Sequence, residues 1–100
     1  MGQQVAYFNE GRGGHILYTN NGQTIKFEFD FGAGNCVVII YIPTIERWEN
    51  ETKTNISYRQ EILNFLCQQV IKDQARGCDY IITDTSIEVM RKPKKKWFDW

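Results

Sequence analysis

Few residues of this chain are equipped for chemistry. His15 is the sole histidine, and the cysteines are Cys36, Cys67 and Cys78. One imidazole cannot build a multi-histidine metal site, and nowhere are His, Cys and carboxylates spaced as zinc ligands. The cysteines sit in apolar stretches, without the cationic neighbours or helix starts that stabilise a thiolate, and read as buried thiols. Gly11-Arg12-Gly13-Gly14 has the composition of a phosphate cradle, but a strand follows it where a cradle needs a helix, so it reads as a loop. What remains is one pair, His15 and Glu28, which the strand register below makes neighbours. An imidazole beside a carboxylate can exchange protons; the same two residues also make an ordinary exposed charge pair. No catalytic residue, metal or cofactor is assigned, and a non-enzymatic protein is the expectation.

The elements that must position these residues centre on Thr24 to Ile42. Ile25, Phe27, Phe29 and Phe31 alternate with Lys26, Glu28 and Asp30, as in a strand with one wet face. After Gly32-Ala33-Gly34-Asn35 comes a nearly unbroken apolar run, Cys36 to Ile42, that suits a central strand. Upstream, His15 to Thr19 alternates and leads into Asn20-Asn21-Gly22-Gln23, whose Asn-Gly pair signals a two-residue hairpin turn. That turn sets Tyr18 opposite Ile25, Ile16 opposite Phe27, Leu17 opposite Lys26 and His15 opposite Glu28. Closing the next turn by pairing Phe31 with Cys36 would set Phe29 against Val38, Phe27 against Ile40 and Ile25 against Ile42. One face is then a solid core. The other mixes His15, Leu17, Lys26, Glu28, Asp30, Val37, Ile39 and Tyr41.

Pro43 ends the central strand. Thr44 to Asn55 is polar, with room for a short helical turn, and holds Glu46, Glu49, Glu51 and one large aromatic, Trp48. Trp48 either folds back over apolar surface or serves as a binding anchor. Ser57 with Gln60 forms a capping box for a helix whose apolar arc runs from Ile62 to Ile71 and which ends near Gly77. Cys78–Thr83 and Ser86–Met90 read as two further strands. The expected fold is α+β: a two-layer domain with an antiparallel meandering sheet of about five strands and one long helix packed on one face. Residues 1–100 form a single domain, in which 1–13 is a flexible arm or an edge strand and 91–100 a basic-aromatic tail.

The formal net charge of zero hides an asymmetry. Residues 1–90 carry seven cations against eleven carboxylates, whereas Arg91, Lys92, Lys94, Lys95 and Lys96 face only Asp99 beyond them. The tail's lysines, with Trp97, Phe98 and Trp100, could engage single-stranded nucleic acid, but the acidic body offers no broad positive groove. The odd cysteine count without CxxC spacing fits a reducing compartment, and Met1 to Glu10 lacks the basic head and apolar segment of a signal peptide. No apolar run is long enough to span a bilayer. A cytoplasmic protein without membrane contact, monomeric or homodimeric, is expected.

Val37, Ile39 and Tyr41 make the mixed face too apolar to stay wet. Their cover would be the Trp48 loop, the aromatic tail, a second copy or another protein. Glu28, Asp30, Tyr41, Glu46, Trp48, Glu49 and Glu51 are the candidate partner-binding residues, and their charge suits a basic partner.

GGHILYTNNG, FEFDFGAGNCVVIIYIPT and SYRQEILNFLCQQV resemble stretches of the immunity proteins of bacterial contact-dependent growth inhibition and related polymorphic toxin systems. The likeness spans about residues 13–90 and lies in layout, not in a fixed signature, so no family site residues transfer. It implies a non-enzymatic cytoplasmic protein that binds one cognate toxin domain, often a nuclease, and blocks its active site or substrate surface. The basic tail departs from a simple acidic mimic of nucleic acid. The sheet-plus-helix layout is also similar to whirly-type single-stranded nucleic-acid binders, which keeps a small nucleic-acid-binding or regulatory domain as the alternative.

Overall fold

Two tight turns set the first half of the sheet. In the computed structural model, which describes residues 2–91, strands β1 (Gln4–Glu10), β2 (Gly13–Asn20) and β3 (Gln23–Phe31) are joined by the two-residue turns Gly11-Arg12 and Asn21-Gly22. Asn21 and Gly22 both take positive φ, +54° and +81°, the left-handed backbone that a type I′ turn demands and that asparagine and glycine accept. The β2–β3 register follows as expected: Tyr18 pairs with Ile25, Ile16 with Phe27, Leu17 with Lys26 and His15 with Glu28. Gln4–Glu10 is thus an edge strand.

Strand β4 (Cys36–Tyr41) returns beside β3 with its register displaced by two residues from the expectation. Phe31 pairs with Val38, Phe29 with Ile40 and Glu28 with Tyr41. The Gly32–Asn35 turn closes differently, with the Gly32 N–H donating to the Val37 carbonyl and the Cys36 N–H to the Ala33 carbonyl. A slip of two keeps every side chain on its face. It also leaves Phe31 at the sheet's end, half exposed at 51%. Val37 is a second correction. A bulge between Cys36 and Val38 turns it from the mixed face toward the core, where it is partly buried.

After Pro43 the chain forms the short helix α1 (Trp48–Thr52), a 3₁₀ turn (Ile56–Tyr58) and the long helix α2 (Arg59–Gln74). Asn55, not Ser57, caps this segment. Its side-chain oxygen accepts from the Ser57 N–H at 2.8 Å, and the chain enters α2 through the 3₁₀ turn. Strands β5 (Cys78–Ile82) and β6 (Ser86–Arg91) complete an open antiparallel sheet in the order β1-β2-β3-β4-β6-β5, six strands where about five were expected.

The fold is α+β, with α2 covering one sheet face. Ile62, Leu63, Leu66, Cys67 and Val70 of α2 pack with Ile16, Phe27, Phe29, Ile40, Ile87 and Val89 of the sheet. Burial pushes the Cys67 thiol up to about 12, so it stays neutral and apolar in character. The edge strand is tied to the helix: the Tyr7 hydroxyl donates to Asp73 Oδ2 at 2.9 Å, and Gln69 Nε2 donates to the same oxygen at 3.0 Å. Burial and the Asp73 bond raise the Tyr7 pKa, while the bonds from Gln69 and Tyr7 lower that of Asp73.

Trp48 closes the open end of this core. It is fully buried, its ring 6.5 Å from that of Phe27 and its centroid 5.7 Å from the Arg59 guanidinium. Arg59 Nη2 donates to the Pro43 and Asp84 carbonyls at 3.1 and 3.2 Å, linking the loop after β4 to the β5–β6 turn. Trp48→Ala should therefore cost about 3–5 kcal/mol of folding stability. Trp48→Phe, which keeps a ring and removes an indole N–H that has no protein acceptor, should cost clearly less. Urea unfolding of both variants measures this; an unchanged midpoint for Trp48→Ala would contradict the burial.

Candidate interaction surface

The sheet face opposite α2 gathers what the sequence offers for recognition. Pairing places Ala6 and Phe8 of β1, His15 and Leu17 of β2, Lys26, Glu28 and Asp30 of β3, and Ile39 and Tyr41 of β4 on this face. Glu88 and Met90 of β6 and Asp79 and Ile81 of β5 continue it. Among the described residues no helix or strand lies over it. Phe8, Tyr41 and Ile81 are 44%, 47% and 56% exposed. With Glu10 at the end of β1, five carboxylates on this face oppose a single lysine, Lys26. An apolar, acid-studded sheet face is the result.

Local contacts order parts of this surface. Tyr41 donates its hydroxyl to Asp30 Oδ2 at 2.7 Å across the β3–β4 pair. That bond to the carboxylate, aided by partial burial and by the negative charge itself, raises the Tyr41 pKa above its ordinary value. Phe8 stacks on His15 at 4.9 Å with the rings 15° from parallel, and His15 Nδ1 lies 3.5 Å from Glu10 Oε1. The His15–Glu28 register is present, but the recorded close carboxylate is that of Glu10, one strand to the other side.

The acidic segment after Pro43 divides its roles. Glu51 takes an ion pair from Arg47 at 2.8 Å, and both line an open cleft of about 400 Å³ shared with Lys26, Glu28, Tyr41 and Thr44. Glu28, Tyr41 and Glu51 therefore meet at one corner of the sheet face, with Asp30 joined through Tyr41. Glu49 is committed elsewhere, its Oε2 accepting from the Ile56 N–H at 2.7 Å. Glu46 is exposed and does not line that cleft. Trp48, weighed as an anchor, is inside the core and presents no surface. Phe8, Ile81 and Glu88 extend the surface on strands that the sequence marks as a possible edge strand (β1) and as an antiparallel pair at a sheet edge (β5 and β6). Their alternation is visible in the sequence, but the order that sets β1 beside β2, β6 beside β4 and β5 outside β6 is not. The basic-aromatic tail, Arg91 apart, lies outside the described residues.

Other chemistry is sparse among the described residues. They contain no cluster of three or more His, Cys, Asp or Glu that could hold a metal, and no helix long and apolar enough to cross a membrane. Cys36, Cys67 and Cys78 are free thiols. An apolar cleft of about 90 Å³ opens between the end of α2 and the sheet, lined by Tyr7, Phe29, Phe31, Val37, Val70 and Ala75. It is well below the few hundred Å³ of a usual small-molecule site. Comparison with family models, curated proteins and solved structures finds no match to this chain.

The Tyr41–Asp30 bond gives a direct test of how this corner is ordered. Its sign is that of an acid whose proton the folded state holds more tightly than the unfolded chain. The contribution is thus complete below the ordinary tyrosine value near 10 and is lost as pH rises through the folded one. In alkaline difference spectra against Tyr41→Phe, Asp30→Ala should move the Tyr41 phenolate midpoint downward. An unmoved midpoint would show that the bond does not persist in solution.

Proposed function

We propose that this protein is a non-enzymatic binding module of the immunity type, which uses the open sheet face and its five carboxylates, Glu28 and Asp30 beside Tyr41 among them, to dock a basic surface of a toxin domain. The observation that carries the reading is a sheet face that no described helix or strand covers. Phe8, Ile39, Tyr41 and Ile81 lie there among Glu10, Glu28, Asp30, Asp79 and Glu88. Aromatic and aliphatic groups supply the desolvated centre of an interface, and a surrounding single sign of charge steers an oppositely charged partner. A nuclease surface that binds phosphates would have that charge, in keeping with the resemblance to immunity proteins. Binding would inhibit by covering, and no bond needs to be made or broken. The alternative of nucleic-acid binding would rest on the tail, because five carboxylates on the sheet face repel phosphate.

The test is a titration of the full chain with the toxin domain encoded beside it, at low and high salt. A one-to-one complex that silences the toxin is expected. Replacing Glu28, Asp30 and Glu88 together by lysine should weaken it at least about tenfold, mostly through a slower on-rate at low salt. A tight complex indifferent to that reversal would move the interface off this face. No complex with a folded, active toxin would contradict the immunity reading.

A further inference from the structure

Strand β1 is an edge built to pair, and we infer that it joins the β1 of a second copy, antiparallel about a two-fold axis through Tyr7. Glu10 and Gly13 close a two-residue turn, so that pair exchanges ladder hydrogen bonds, and by alternation Phe8, Ala6 and Gln4 also bond to β2. The N–H and C=O groups of Val5, Tyr7 and Asn9 are then directed to the other side, along an edge that no other described strand pairs. Natural edges are usually blunted by Lys, Pro, a bulge or an inward charge. Gln-Val-Ala-Tyr-Phe-Asn-Glu has no Lys, Arg or Pro, its seven residues pair with β2 without a bulge, and its one charge is at its end.

The opposite edge is different. Strand β5 has five residues, and the Asp79 carboxylate accepts from the Tyr80 N–H at 3.1 Å, which occupies a donor of that strand. Pairing β1 with another copy's β5 would also repeat without closing, whereas β1 with β1 closes as a dimer.

The two-fold through Tyr7 suits the sequence. Tyr7 meets the partner's Tyr7, and Val5 meets the partner's Asn9, in mutually bonded pairs that would add about six backbone hydrogen bonds. On the open face Phe8 lies opposite the partner's Ala6, so a large ring meets a small side chain twice. Glu10 lies opposite the partner's Gln4, so no like charges are opposed. The strand needs little further ordering, because Tyr7 already holds it to Asp73 of α2 and Tyr18 donates to Gln3 just before it. Joined this way, the two open faces form one continuous surface. The inference does not depend on what docks there.

Sedimentation of the full chain from low micromolar to millimolar concentration should show a monomer converting to a dimer. Asn9→Pro removes one outward N–H and no bond to β2, so it should weaken the dimer at least about tenfold with an unchanged circular dichroism spectrum. Phe8→Glu should do the same by setting a carboxylate, in place of the ring, against the partner's Ala6 and diagonal to the carboxylate that the same substitution places in the partner. Should Asn9→Pro not fold, the double variant Ala6→Cys with Phe8→Cys decides: the non-bonded pairs place its cysteines within disulfide reach of the partner's, and mild oxidation should give a covalent dimer. A chain monomeric throughout the range, a dimer unaffected by both Asn9→Pro and Phe8→Glu, or no covalent dimer from the cysteine pair would each overturn the inference.

Discussion

Six strands have two faces, and the long helix of this chain covers one. At 1.5 Å per residue, the 16 residues of α2 reach about 24 Å, close to the breadth of six strands spaced about 4.8 Å apart. That helix fills the inner face with Ile62, Leu63, Leu66, Cys67 and Val70. Nothing else among the described residues is placed to do the same outside. Apolar groups left outside each forgo about 25 cal/mol for every Å² they could have buried. Phe8, Tyr41 and Ile81 are left exposed among carboxylates by every described helix and strand.

The same constraint orders the rest of the molecule. With α2 the only large lid among the described residues, the ends of the inner core need separate closure. Trp48 closes one end, held between Phe27 and Arg59, and Arg59 in turn gathers the carbonyls of Pro43 and Asp84. Tyr7 secures the outlying strand β1 to α2. The acids after Pro43 are divided between structure and surface. Glu49 caps the 3₁₀ turn, while Glu51 joins Arg47 beside the open face.

Much of this was legible because hairpin chemistry is local. Asn21-Gly22 dictates a positive-φ turn, and the β2–β3 register and the two faces follow from period-two alternation. Gly32–Asn35 is less informative, since such a loop can close in several ways with the same parity; the register slipped by two residues and the faces survived. The bulge that turns Val37 inward leaves no mark in a run of β-branched residues. Asn55 and Ser57 are both competent caps, and only the 3₁₀ entry distinguishes them. Trp48 sits in a polar stretch, and its burial depends on Phe27 and Arg59, far away in the chain. The placement of β6 beside β4, with β5 outside, is likewise non-local. It brought Glu88 and Ile81 onto the candidate surface, where Glu28, Asp30 and Tyr41 were already expected.

We propose that the open sheet face is the docking surface. Its most direct measurement is backbone and methyl chemical-shift mapping of the isotope-labelled chain as the unlabelled toxin domain is added. Perturbations should concentrate on Phe8, Lys26, Glu28, Ile39, Tyr41, Ile81 and Glu88, with the solvent-facing side of α2 (Glu61, Gln68 and Lys72) unmoved. Perturbations confined to that side of α2, with the sheet face silent, would contradict it.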